Sequence, residues 1–183
     1  MKTTQSKMTN FRWVICFMLF AATTINYMDR QVLSLTWKDF IAPEFHWTDS
    51  DYGFIAAVFA IIYAVSMLFA GRIIDWLGTR KGYLWTIGIW SLGACLHAFC
   101  GYATELWVGA DSIEALKQAE TGSALAMTIA TVSVYFFIAA RFILAVGEAG
   151  NFPVAAKVAA EYYPKKDRAF PTSTITAELL SEP

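Results

Sequence analysis

Charge is what this sequence has least of: 14 Lys and Arg and 15 Asp and Glu make up only 16% of its 183 residues, while 57% are hydrophobic. The segments Tyr52–Gly71 and Gly82–Thr104 contain no Asp, Glu, Lys or Arg over 20 and 23 residues, against the ~20 that a helix needs to cross the hydrocarbon of a bilayer. A soluble helical bundle would show a polar face every 3.6 residues, and these segments are apolar all round, so that reading is set aside. Cysteine is sparse and odd in number. Cys16, Cys95 and Cys100 lie in apolar runs, where a thiol behaves as a small hydrophobe, so no disulfide and no metal site is expected. There are two histidines, His46 in a polar segment and His97 in an apolar run, and each reads as a packing residue. There is no phosphate-binding loop, nucleophile elbow or metal-ligand spacing, so no enzyme, cofactor or nucleic-acid partner is expected.

What charge there is falls into two groups. Asp29 and Arg30 close the apolar run that starts at Trp13, and Arg141 and Glu148 interrupt the one that starts at Thr121. A charge held in hydrocarbon costs several kcal/mol, so such residues usually line a polar cavity or an ion path. The remainder sort by side once four spans are drawn, at about 13–35, 52–74, 82–104 and 124–150, with a helical extension to about 162. Lys2, Lys7, Arg12, Arg72, Arg80, Lys81, Lys157, Lys165, Lys166 and Arg168 share one side, against Lys38 and Lys117 on the other. Segments rich in Lys and Arg stay cytoplasmic. The N-terminus, residues 1–12, is therefore expected inside and residues 36–51 and 102–120 outside, the latter segment long enough for a short surface helix. The apolar stretch after Arg12 reads as a first span and not as a cleaved leader, because it is long and ends in Asp29-Arg30.

Between the second and third spans stands GRIIDWLGTRK, Gly71 to Lys81. Gly71 and Gly78 remove side chains where helices approach closely or the chain turns. Asp75 is placed to pair with a cation or a helix N-terminus, and Arg80 and Lys81 hold the loop on the cytoplasmic side. The string resembles the signature loop of the major facilitator superfamily, with Trp76 in a slot that is often Arg and Thr79 before the basic pair. INYMDRQVL in the first span, ARFILAVGEAGNFP in the fourth and AEYYPKKDRA after it are similar to the anion:cation symporter branch, which includes bacterial carriers of hexuronates and other sugar acids. The resemblance runs from about Phe11 to Phe170. It implies an all-α integral membrane fold, four helices of the N-terminal half of a twelve-helix transporter, in a bacterial inner membrane.

The resemblance also implies roles: Asp29 and Glu148 in proton coupling, Arg30 and Tyr27 at the substrate, Arg141 in charge balance with Glu148, with Tyr63 and Asn26 as further pocket groups. Spacing is compatible with this. Arg141 and Glu148 are seven apart, about 20° from each other on one helix face. Asn26, Tyr27 and Arg30 fall within one turn, while Asp29 lies about 100° from Arg30. A sugar acid offers one carboxylate and several hydroxyls, which suits a guanidinium fork beside phenol and amide groups. Coupling by a proton needs a carboxyl that alternates between burial and contact with Arg, for which Glu148 opposite Arg141 and Asp29 beside Arg30 are the candidates, with sodium as the alternative driving ion. Pro153 is expected to loosen the helix after Glu148 by removing a donor. After Arg168 the sequence reads AFPTSTITAELLSEP, which has no run able to cross a bilayer, so residues 169–183 read as an aberrant tail in place of a fifth span. The expectation is therefore a truncated product of a transporter gene that is inactive alone. The alternative is a complete small four-helix membrane assembly or structural protein.

Overall fold

In a computed structural model, which describes residues 10–164, 168, 169 and 173, the described residues are mostly helical. The helices are α1 (Asn10–Thr36), α2 (Ala42–Phe45), α3 (Asp49–Leu77), α4 (Thr79–Val108), α5 (Ile113–Lys117), α6 (Ala124–Glu148) and α7 (Asn151–Tyr162). Lys2, Lys7, Lys165, Lys166 and all of the 169–183 tail except Ala169 and Ser173 lie outside the described residues. Among the described residues three helical stretches are long and apolar enough to cross a membrane: Asp49–Leu77, Thr79–Val108 and Ala124–Tyr162. The expected first span, α1, has 27 residues, about 40 Å of helix and so also long enough, but it carries Asn26, Asp29 and Arg30. Much of the apolar surface faces outward, with Phe17 70% and Leu68 79% exposed. Such surfaces suit hydrocarbon, not water.

Local chemistry sets the helix ends. Thr48 and Asp51 form a reciprocal capping box that starts α3: the Thr48 backbone N–H donates to Asp51 Oδ2 at 2.8 Å, and Thr48 Oγ1 accepts from the Asp51 N–H. Gly78, at φ 78° and ψ 161°, is the whole connection between α3 and α4, a backbone region essentially closed to other residues. Ser112 and Ser123 cap α5 and α6 through their side chains. α1 runs through a five-residue π-helical turn, Trp37–Ile41, into α2, which stops at His46 in the left-handed region. Pro153 has the expected effect, because the carbonyl four residues before it loses its donor. The helix loosens at Ala149–Gly150 and resumes as α7.

α6 is the central helix, packed against α4 and α3. Glycine permits the approach. A Cβ on Gly93 would lie 2.6 Å from the Leu144 backbone nitrogen, and one on Gly147 would lie 2.7 Å from Trp90 Cα. The two helices therefore touch backbone to backbone. Gly71, by contrast, has open space where a Cβ would sit, so the expectation of a close approach there is corrected. Two apolar clusters close the bundle. Phe45, Trp47, Leu116, Ile129 and Phe137 gather near α2 and α5, and Leu19, Ile74, Val154, Ala155 and Val158 gather near Gly78 and α7. The segment expected as a surface helix becomes α5, whose Leu116 is fully buried in the first cluster. The intramembrane charges lie between these clusters.

Candidate functional site

Glu148 has no exposed side-chain surface, and its Oε2 accepts a hydrogen bond from Arg30 Nε at 2.9 Å, joining α6 to α1. This differs from the expected pairing of Glu148 with Arg141. Residues seven apart on one helix share a face but lie two turns apart, about 10.5 Å along the axis, so a neighbouring helix is the nearer source of a cation. Arg141 is buried, makes no ion pair with a described residue and lies over the Phe59 ring at 5.2 Å. The Arg30 guanidinium stacks on Tyr63 at 4.1 Å and reaches Phe59 at 5.8 Å. Cation–π contacts of this kind contribute about 0.5–2 kcal/mol and fix the plane of the guanidinium. Asp29 turns away from Arg30, and its Oδ2 accepts from the indole Nε1 of Trp90 on α4.

The hydrogen bonding is incomplete. Among the described residues no partner is found for Arg30 Nη2, Arg141 Nε, Glu148 Oε1, Asn26 Nδ2 or Asn151 Nδ2, all buried. Buried polar groups without partners are costly, and a cluster with both donors and a carboxylate oxygen open suits a polar or charged visitor. Arg141 stands between two cavities. One, of about 110 Å³, is lined by Arg30, Tyr52, Phe59 and Arg141. The other, of about 350 Å³, is lined by Asp29, Glu44, His97, Phe137 and Arg141. Tyr27 is half-buried on α1 beside buried Asn26. Of the sequence-named residues, the structure thus brings together Arg30, Glu148 and Tyr63, sets Arg141 beside them, and places Asp29 on another wall.

Trp90, Phe59, His97 and Glu44 were not picked out from the sequence. A signal existed for the α4 residues: Gly82, Thr86, Trp90, Gly93, His97, Cys100 and Thr104 recur at steps of three and four. That is the period of one helix face, and all but half-buried His97 are buried. Glu44 carried no such mark. Burial in α2 pushes its carboxyl above the usual carboxylate range, opposed by Lys117 of α5.

The signature loop is clamped at its end of the bundle. Asp75 accepts from Lys157 Nζ on α7 at 2.9 Å, and the same ammonium donates to the Ile74 carbonyl at 3.3 Å, in the last turn of α3. Cations are favoured at that end of a helix. One turn along α7, Glu161 Oε1 accepts from Thr79 Oγ1 at 2.6 Å. Arg80 and Lys81 point outward.

The family model described as Major Facilitator Superfamily matches residues 19–112. Similar curated proteins include a probable galactarate/D-glucarate transporter, GudP, of Pseudomonas putida, 30% identical over 164 residues, which cover 90% of this chain and 30% of that protein. The probable galactarate/D-glucarate transporter GarP of Escherichia coli (strain K12) is 27% identical over 157 residues, covering 86% and 30%. The galacturonate transporter of Dickeya chrysanthemi is 24% identical over 162 residues, covering 88% and 38%. This chain thus spans about a third of the length of the curated relatives it matches. No solved structure matches it. With a family match over more than half of its residues, apolar spanning helices and the glycine-linked signature loop, the chain belongs to the Major Facilitator Superfamily and is a membrane protein.

Proposed function

We propose that these helices form one wall of the translocation path of a sugar-acid carrier that works by proton symport and alternating access in a bacterial inner membrane. The observation that carries this reading is the ion pair between Arg30 and Glu148. Glu148 is fully enclosed, whereas Arg30 retains 27% side-chain exposure and an open Nη2. A guanidinium held flat on Tyr63 presents its Nε and Nη2 edge as a fork for a carboxylate. At present Glu148 occupies Nε. A substrate carboxylate that takes both positions displaces Glu148, which is then a buried carboxylate without its counterion, and a proton neutralises it. Substrate and proton binding are thereby linked, each favouring the other.

The relatives named above supply the substrate class, a hexuronate or an aldarate. The open amide of Asn26 and the Tyr63 hydroxyl suit a polyol chain, and Tyr27 joins them by resemblance. Arg141 supplies positive potential beside the pair, and Asp29 is the second coupling carboxyl. The charge asymmetry of the sequence orients the N-terminus to the cytoplasm. The test is uptake by a chimera in which residues 1–164 precede the remaining length of the Pseudomonas putida relative, expressed in a strain without sugar-acid carriers. Arg30→Lys keeps the charge but loses the fork, so uptake of galactarate or galacturonate should fall at least about tenfold. Undiminished uptake by Arg30→Lys would remove the assignment.

A further inference from the structure

Asp29 and Arg30 are adjacent in sequence but open into different spaces, and the two spaces share only Leu33 and Arg141 among their lining residues. Arg30 lines the small aromatic cleft with Tyr52 and Phe59. Asp29 lines the 350 Å³ chamber between α1, α4 and α6, whose wall toward α2 and α5 is made by Glu44, Phe45 and Ile113. One titratable ring faces that chamber, His97. Its Nδ1 lies 2.8 Å from the Gly93 carbonyl. A carbonyl only accepts, so Nδ1 carries the hydrogen and Nε2 of the neutral ring is left with a free lone pair. Nε2 is buried and has no partner among the described residues. The Phe137 ring meets the imidazole edge-on at 5.9 Å, holding it across the chamber.

We propose that this chamber is a proton-entry compartment separate from the substrate cleft, with His97 Nε2 as the transfer atom between Glu44 and Asp29. This rests on the symport reading and goes beyond it by giving the proton a route of its own. A proton that arrives at the Glu44 carboxylate passes to Nε2, forming an imidazolium; the same N–H then gives it to the Asp29 carboxylate, and the neutral Nδ1–H ring is restored. No bond to Nδ1 changes. The charged groups that face His97 are Asp29 from α1, Glu44 from α2 and Arg141 from α6. Arg141 repels the imidazolium, so the proton does not rest there. Trp90 fixes Asp29 at the chamber wall through its indole hydrogen bond. Sequestering the proton path from the aromatic cleft lets the substrate carboxylate reach Arg30 without crossing the acids.

The chain has two histidines, which makes a direct measurement possible. The full chain, labelled with nitrogen-15 in histidine and placed in nanodiscs, is followed by NMR from acidic to mildly alkaline pH. The expected result is a neutral His97 with hydrogen on Nδ1, an Nε2 signal that moves on acidification, and a titration curve displaced by Asp29→Asn and separately by Glu44→Gln. Asp29→Asn should leave the His46 curve in place. A His97 signal that does not respond to pH, or a curve that either variant leaves in place, would overturn the proposal. A second readout is independent of titration. In the chimera without native cysteines, galactarate should slow the reaction of Ala56→Cys, in the aromatic cleft, with a small charged thiol reagent at least tenfold and leave that of Ala94→Cys, which lines the chamber, unchanged, and equal protection of the two would contradict separate compartments. Chimeras that accumulate substrate without a pH gradient would overturn symport while leaving the link between His97 and Asp29 intact, so the two readings fail separately.

Discussion

Glu148 and Arg30 illustrate how a charge is tolerated inside an apolar bundle: Oε2 meets Nε at 2.9 Å across two helices, and neither group depends on lipid. Removing one partner leaves the other buried and uncompensated, a loss of about 3–5 kcal/mol, whereas removing both with apolar residues of similar size is far milder. A double-mutant cycle of Glu148→Leu and Arg30→Met, read by reversible unfolding in mixed micelles, should therefore be strongly non-additive. Additive losses would show that the pair is not coupled. The identity of the charged residues was legible in the sequence, because four charges in apolar runs stand out. Their partners were not. Helix periodicity puts Arg141 and Glu148 on one face, but the cation that reaches Glu148 comes from α1, a choice made by helix packing that no single-helix argument contains. Asp29 was similarly assigned to Arg30 by adjacency, and the 100° step between neighbouring residues turns it to Trp90 instead.

At the scale of elements, the α4–α6 contact depends on glycines whose importance the sequence did not rank. Gly147→Ala drives a methyl against Trp90 Cα and Cβ, which should cost about 1–3 kcal/mol and separate the helices that carry Asp29's partner and Glu148. Gly71→Ala meets open space within a helix, and should be neutral or stabilising by up to about 1 kcal/mol. Thermal denaturation of both variants checks this, and equal effects would contradict the packing described. The helices and the turn at Gly78 were legible because uncharged length and a glycine between apolar runs are strong local signals. The burial of α2 and α5 was not, since helices of four and five residues are too short to show a periodic apolar face and only the bundle supplies the hydrophobic seat for Phe45 and Leu116. That burial raises the Glu44 carboxyl. For an acid with a raised folded value the folded state holds the extra proton, so stability falls as pH rises from about 4 through the raised value. Glu44→Gln should flatten the change of melting temperature across that window, and an unchanged slope would count against it.

For the molecule as a whole, the signature loop and α7 form one clamp, through Asp75 to Lys157 and Thr79 to Glu161, at the opposite end of the bundle from α2 and α5. Asp75 is 76% exposed, so Asp75→Asn should cost less than about 1 kcal/mol in stability. Single-cysteine labelling orients the bundle: with the native cysteines replaced, Ser112→Cys is expected to react from the extracytoplasmic side, and reaction from the cytoplasm alone would invert the proposed topology. The central claim is that Glu148, released from Arg30 by a substrate carboxylate, carries the coupling proton. It is tested most directly in vesicles that hold the chimera with the Pseudomonas putida relative, comparing Glu148→Gln with the unmodified protein. An amide keeps the shape and part of the hydrogen bonding but cannot cycle a proton. The account predicts that galactarate exchange persists in Glu148→Gln while accumulation driven by a pH gradient is lost; accumulation at the unmodified level would contradict it.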